Sequence, residues 1–143
     1  MRRFNLPSLL ALCSLLLAAP AAFAAYTDRD PGSACSVRVH YPATIPAAAD
    51  AFILGVGTSM SRSDYDFLAA QLTTKGYVVV AMDHNPGNMV KTDAAKYLAC
   101  ANLVKSNIAA WLAPNGFSSV GHRIPGGHSG GGHASRNGIS AYP

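Results

Sequence analysis

The sequence predicts an α/β fold built on a mostly parallel sheet, and three observations carry that prediction. An alternating apolar and polar segment occurs at 36–41, and short apolar runs occur at 51–57 and 77–84. Segments with helical periodicity follow both of these runs. Glycine, proline and asparagine close each segment in turn. Strand, helix, strand, helix, strand is the pattern of βαβ units with helices packed on a sheet.

The first two dozen residues stand apart. Arg2 and Arg3 make a positive start, Leu9 to Ala19 is an apolar run, and Ala22-Phe23-Ala24 is a small-residue cleavage pattern. Together they read as a secretory signal peptide over residues 1–24, cut after Ala24 or Ala25. The run is too short to span a bilayer comfortably, so no membrane span is expected. Cys13 follows Leu12 inside that run and does not read as a lipidation site. The product is therefore expected outside the cytoplasm, secreted or periplasmic, as one domain over residues 25–143.

Charge narrows the partners. The chain carries 11 Lys plus Arg against seven Asp and no Glu, a net +4. Without Arg2 and Arg3 the balance is nine against seven, or +2. No cluster of lysine and arginine remains to track a phosphate backbone, so nucleic acid is not expected as a partner. Cys35 and Cys100 lie beyond the leader. In an exported chain an even count allows a disulfide between them, and two separate buried thiols remain the alternative. Neither sits in a CxxC pattern or beside a histidine.

The elements follow in order. "SVRVHY" (36–41) alternates, with Val37, Val39 and Tyr41 on one side and His40 on the side expected to face solvent. "AFILGVG" (51–57) is an apolar run closed by glycines, suited to a strand buried on both faces. "SRSDYDFLAAQLTTKG" reads as a helix capped by Ser61 or Ser63, with Asp64 and Asp66 at its positive end and Gly76 as its stop. Phe67, Leu68 and Leu72 share one of its faces. "YVVVAMDH" (77–84) is the clearest strand, broken by "NPGN". From Thr92 to about Leu112 a longer helix carries the stripe Tyr97, Leu98, Ala101, Val104, Ile108, Trp111 and Leu112. "FSSVGHRI" is a weaker strand, and "RIPGGHSGGGHAS" follows it.

In open parallel sheets, sites form at the carboxyl ends of strands. That rule puts Gly57-Thr58, Asp83-His84 and Ser129 along one rim. Gly127-His128-Ser129-Gly130-Gly131 is a G-x-S-x-G pattern, the strained strand-to-helix turn that projects a nucleophilic serine. Gly127 and Gly131 occupy the two positions where bulk is forbidden, and the Gly130 amide points at a developing oxyanion. The loop after Gly57 should supply the second donor, the Thr58 amide. Two other readings compete: a disordered Gly-Ser-His loop, and a metal site from His122, His128 and His133, whose spacing matches no compact ligand set. No metal or other cofactor is expected. His84 and Asp83 read as polar residues at a strand end, and Pro125 falls where the strand feeding the turn should still be hydrogen-bonded.

The order from residue 51 onward, through "KGYVVVAMDH" and a long helix to "GHSGG", resembles the α/β-hydrolase superfamily, and within it the dienelactone-hydrolase, chlorophyllase and cutinase-like branch of exported esterases. The resemblance covers about residues 36 to 135. It implies a carboxylic ester hydrolase acting through an acyl-enzyme at Ser129, with the Thr58 and Gly130 amides as oxyanion hole. His128 is then the usual large neighbour of the serine and not its base. Small-molecule or polymeric esters are the implied substrates. Relatives often carry His-Gly where this chain has Gly57-Thr58, a swap that a backbone donor tolerates.

The family's acid and base follow its serine in the chain. After Ser129 this sequence has no Asp or Glu, and its one histidine there, His133, would sit a turn into the next helix, aimed away from the serine oxygen. Asn137-Gly138 reads as a stop for that helix. The expectation is a truncated or frame-shifted hydrolase domain, with the closing strands and helices missing and little or no esterase turnover. A non-catalytic exported binding or structural domain is the competing expectation.

Overall fold

The computed structural model describes residues 25–32, 34–44 and 46–139. The expected leader, 1–24, lies outside the described residues, as do 140–143. Five strands form one sheet: β1 (Ala25–Gly32), β2 (Cys35–Tyr41), β3 (Ala48–Gly55), β4 (Val78–Asp83) and β5 (Ser119–Gly127). Their order is β1-β2-β4-β3-β5. β3 runs parallel to β4 and β5, whereas β1 pairs antiparallel with β2, and β2 with β4. Three α-helices pack on it: α1 (Asp66–Thr73), α2 (Ala94–Leu112) and α3 (Ser129–Ile139).

The connections explain where a site can form. From β3 the chain passes through α1 to β4 on one side, then returns through α2 to β5 on the other. Right-handed crossovers in opposite directions put α1 and α2 on opposite faces. The carboxyl ends of β3 and β5 therefore border a crevice at the point where the order reverses. Gly55 stands level with both Met82 and Gly127 there.

β4 is buried along its whole length, as a two-sided strand must be. Val78, Val80 and Met82 face α2 and join Val37, Val39, Ala51, Ile53, Tyr97, Ala101, Val104, Ile108 and Leu112 in the main core. Asp93 caps α2 by accepting the Lys96 amide at 3.0 Å. Gly116, at φ 88°, turns the chain out of the helix region where a side chain would be strained. Cys35 and Cys100 form a disulfide, with their Cα atoms 5.1 Å apart, that ties β2 to α2 across 65 residues.

Several expectations are corrected. β1 was not anticipated, because "AYTDRDPG" is polar and ends in turn formers; it forms as an exposed edge, paired along one side. β3 starts three residues earlier than the apolar run suggests, at Ala48. His40 is buried, not solvent-facing, because α1 lies over that side of β2 and puts Asp66 3.4 Å from its Nε2. α1 turns Ala69 and Thr73 inward and leaves Phe67 79% exposed, so its large apolar residues do not make the buried face. β5 continues through Pro125, which pairs opposite Ile53. An edge strand accommodates proline because half of its amides face away from its partner. α3 likewise runs through Asn137-Gly138 to Ile139. A side chain at Gly138 would press on Tyr97, so glycine is what lets α3 lie close to α2 there.

Candidate active site

β5 delivers Gly127, and α3 begins two residues later at Ser129. Ser129 takes φ 50°, one of two non-glycine residues with positive φ among the described residues. That conformation costs about 1–3 kcal/mol and persists where its surroundings enforce it. The surroundings do so through glycines. A Cβ on Gly127 would strike the Gly131 and Gly132 backbone, and one on Gly131 would strike the Gly55 and Val56 carbonyls. The His128 amide donates to the Gly55 carbonyl at 3.1 Å, and the His128 carbonyl takes the Gly131 and Gly132 amides at 2.9 and 3.2 Å. The bend is therefore pinned to the end of β3. The Ser129 side chain is left exposed, with no hydrogen-bond partner among the described residues.

Two amides point at what this arrangement can do. Gly131 and Gly132 are used within the bend, while the Gly130 amide finds no acceptor among the described residues. Across the crevice, Gly57 donates to the Tyr65 hydroxyl at 2.7 Å and Ser59 to the Met89 carbonyl at 2.9 Å. Thr58, between them, has an amide without a partner among the described residues. A Cβ on Gly130 would lie 2.5 Å from Thr58 Oγ1, so the Thr58 side chain reaches across the crevice to Gly130. Ser59 is the second non-glycine residue with positive φ, at 59°. Two amides without a partner among the described residues, those of Thr58 and Gly130, thus lie on the two sides of the crevice near the start of α3.

The histidines do not converge on Ser129. His128 Nδ1 lies 3.1 Å from the Tyr65 hydroxyl and its ring packs edge-on against that phenol. Burial holds the Tyr65 phenol above its ordinary pKa. His133 is exposed and its Nε2 lies 2.9 Å from Asn137 Nδ2, one turn along α3. His122 is at the opposite end of β5, against Asp50. Among the described residues, no group of three or more His, Cys, Asp or Glu side chains is placed to hold a metal ion.

The sequence reading missed what anchors the loop after β4. Asp83 and Lys91 form a buried ion pair at 2.9 Å. His84 is fully buried, with Nε2 donating to the Lys91 carbonyl at 2.9 Å and its ring edge-on to Tyr97. A lysine among turn and apolar residues, eight positions after a strand-end aspartate, was the available signal. This loop and the one bearing Ser59, Met60 and Ser61 border an open cleft of about 370 Å³.

A partial α/β-hydrolase fold, with a five-stranded mixed sheet and flanking helices, is what these elements define. Solved esterase structures share it. Esterase Est2 from Thermogutta terrifontis in a propionate-bound form superposes with a TM-score of 0.54 at 17% identity over 82% of this chain and 45% of that one. Est1E from Butyrivibrio proteoclasticus gives 0.56 at 16% identity, over 81% of this chain and 45% of its own. The T. terrifontis esterase 2 phosphonylated by sarin gives 0.55 at 16% identity, over 82% and 45%. The chain thus spans a little under half the length of these esterases. No family model and no curated protein matches it. Among the described residues no helix is long and apolar enough to cross a membrane.

Proposed function

We propose that this chain is the nucleophile-bearing part of an exported carboxylic ester hydrolase, of the dienelactone-hydrolase, chlorophyllase and cutinase-like kind. Ser129 attacks the ester carbonyl, the Thr58 and Gly130 amides hold the oxyanion, and loss of the alcohol leaves an acyl group on Ser129. The observation that carries this reading is Ser129 at φ 50° on a glycine-walled bend, next to Gly130, whose amide, like that of Thr58 across the crevice, has no partner among the described residues. The likeness to esterases, one of them phosphonylated by sarin, supports it. Residues 1–24 are the proposed export signal, and the Cys35–Cys100 disulfide fits an oxidising compartment.

Turnover by the 143-residue chain is expected to be slight. Proton removal from the hydroxyl needs a base within hydrogen-bond reach. Among the described residues none lies there. That same observation favours the second reading, a non-catalytic exported binding or structural domain. A small fluorophosphonate separates the two. Modification of Ser129, absent in Ser129→Ala and located by peptide mass spectrometry, is the result expected of the esterase reading. An unmodified wild-type chain under forcing probe concentrations removes that reading and leaves the binding domain.

A further inference from the structure

We propose that Lys91 is the positioning residue for the two site amides, an inference that rests on the ester-hydrolase reading of the same rim. Lys91 is 2% exposed. A charge is retained at such depth where partners offset its desolvation. Its Nζ donates to Asp83 Oδ1 at 2.9 Å and to the Asn85 carbonyl at 2.6 Å. Its own carbonyl accepts from His84 at 2.9 Å, and Asn85 Nδ2 donates to the Val90 carbonyl at 3.0 Å. Both ends of the 84–91 loop are thereby strapped to the end of β4.

Two contacts carry that rigidity to the site. The Met89 carbonyl takes the Ser59 amide at 2.9 Å and so holds Ser59 at φ 59°, a conformation its own side chain disfavours. The peptide just before it bears the Thr58 amide. On the other side, the Lys91 backbone carbon and Cβ would lie 3.5 Å from a Cβ at Gly130. Gly130 is therefore seated on Lys91 while Thr58 Oγ1 meets it from across the crevice. One buried side chain sets the height of the loop against which both unbonded amides are placed. With Lys91 neutralised, Asp83 keeps a buried carboxylate with its main partner gone, and the loop is expected to lift toward water.

The test uses the purified full chain and a small fluorophosphonate over a concentration series, which separates reversible binding from the labelling step. Lys91→Met, with a side chain of similar length and no charge, is expected to label at Ser129 about tenfold or more slowly, with reversible binding little changed. Amide exchange at Ser59 should quicken by about tenfold while β4 stays protected. Lys91→Arg should recover part of the labelling rate. A folded Lys91→Met that labels and exchanges as the wild type does overturns the proposal. Should Lys91→Met fail to fold, Asp83→Asn decides: slower labelling with faster Ser59 exchange supports the proposal, and no change overturns it. An unlabelled wild type overturns the esterase reading and this inference together, whereas a labelled wild type with unaffected variants overturns this inference alone.

Discussion

The two faces of the sheet are held by different forces. On the α2 face, Cys35, Val37 and Val39 of β2 meet Val78, Val80 and Met82 of β4 beneath a helix that presents Tyr97, Ala101, Val104, Ile108 and Leu112. On the α1 face the same strand presents Arg38 and His40, with Arg38 2.8 Å from both Asp28 and Asp66. The apolar cluster there is small: Val56, Tyr65 and Ala81, with Leu54 and Met60 against it. Each face nevertheless sends one tyrosine to the rim. Tyr97 donates to the Gly126 carbonyl at 3.1 Å, below the bend, and Tyr65 accepts from Gly57, below the Thr58 peptide. The contrast teaches that one face supplies stability by burial, and the other supplies orientation through polar ties.

Breaking the disulfide should have the largest effect, because it belongs to the stabilising face and closes a 65-residue separation. Replacing Cys35 and Cys100 together by alanine is expected to lower stability by about 4 kcal/mol in urea denaturation. Next come the two tyrosines. Tyr65→Phe leaves the buried Gly57 amide without its acceptor and should cost about 1–3 kcal/mol, while slowing phosphonate labelling of Ser129. Tyr97→Phe removes a donor from carbonyls that retain other capacity and should cost about 1 kcal/mol, with labelling closer to wild type. Equal labelling by the two variants would erase the division of labour.

Acid should act through the polar face. Burial holds the His40 imidazole below its ordinary value, with nearby Asp66 and Asp28 opposing and Arg38 reinforcing the shift. The folded state then binds fewer protons than the unfolded chain just below about pH 6.5. Stability is full above that pH and falls as pH drops toward the depressed folded value. The Asp28 carboxyl, held low chiefly by its hydrogen bonds with Arg38, adds a loss of the same sign at more acid pH. His40→Gln should flatten the first of these losses, read as the denaturation midpoint against pH. The smallest effect should come from Phe67, which is 79% exposed on α1. Phe67→Ser is expected to stay within about 0.5 kcal/mol, and a larger loss would show that this face is covered.

Much of the fold was legible because its signals are local. The β-branched run at 78–83 and the helical stripe at 97–112 each state their own periodicity, and both formed as expected. The glycines of the 127–131 bend were legible for a steric reason: Gly127 and Gly131 mark where a Cβ has no room. β1 was hidden because an edge strand of "TDRDPG" forms through a register with β2 that no local pattern encodes. His40 misled for a related reason. Alternation assigns it to the polar side of β2, but a helix some 26 residues later covers that side.

The sequence by itself determined the order of strands and helices from residue 36 onward, the place of the bend at 127–131 and the pair of residues that cannot carry bulk there. Those follow from backbone sterics and repeat length, which act within a few residues. The tertiary structure decided that Tyr65 meets Gly57 and His128, and that Lys91 is buried beneath Gly130. Those meetings depend on how the two crossovers lay distant segments against one another, and on which buried polar groups then find partners.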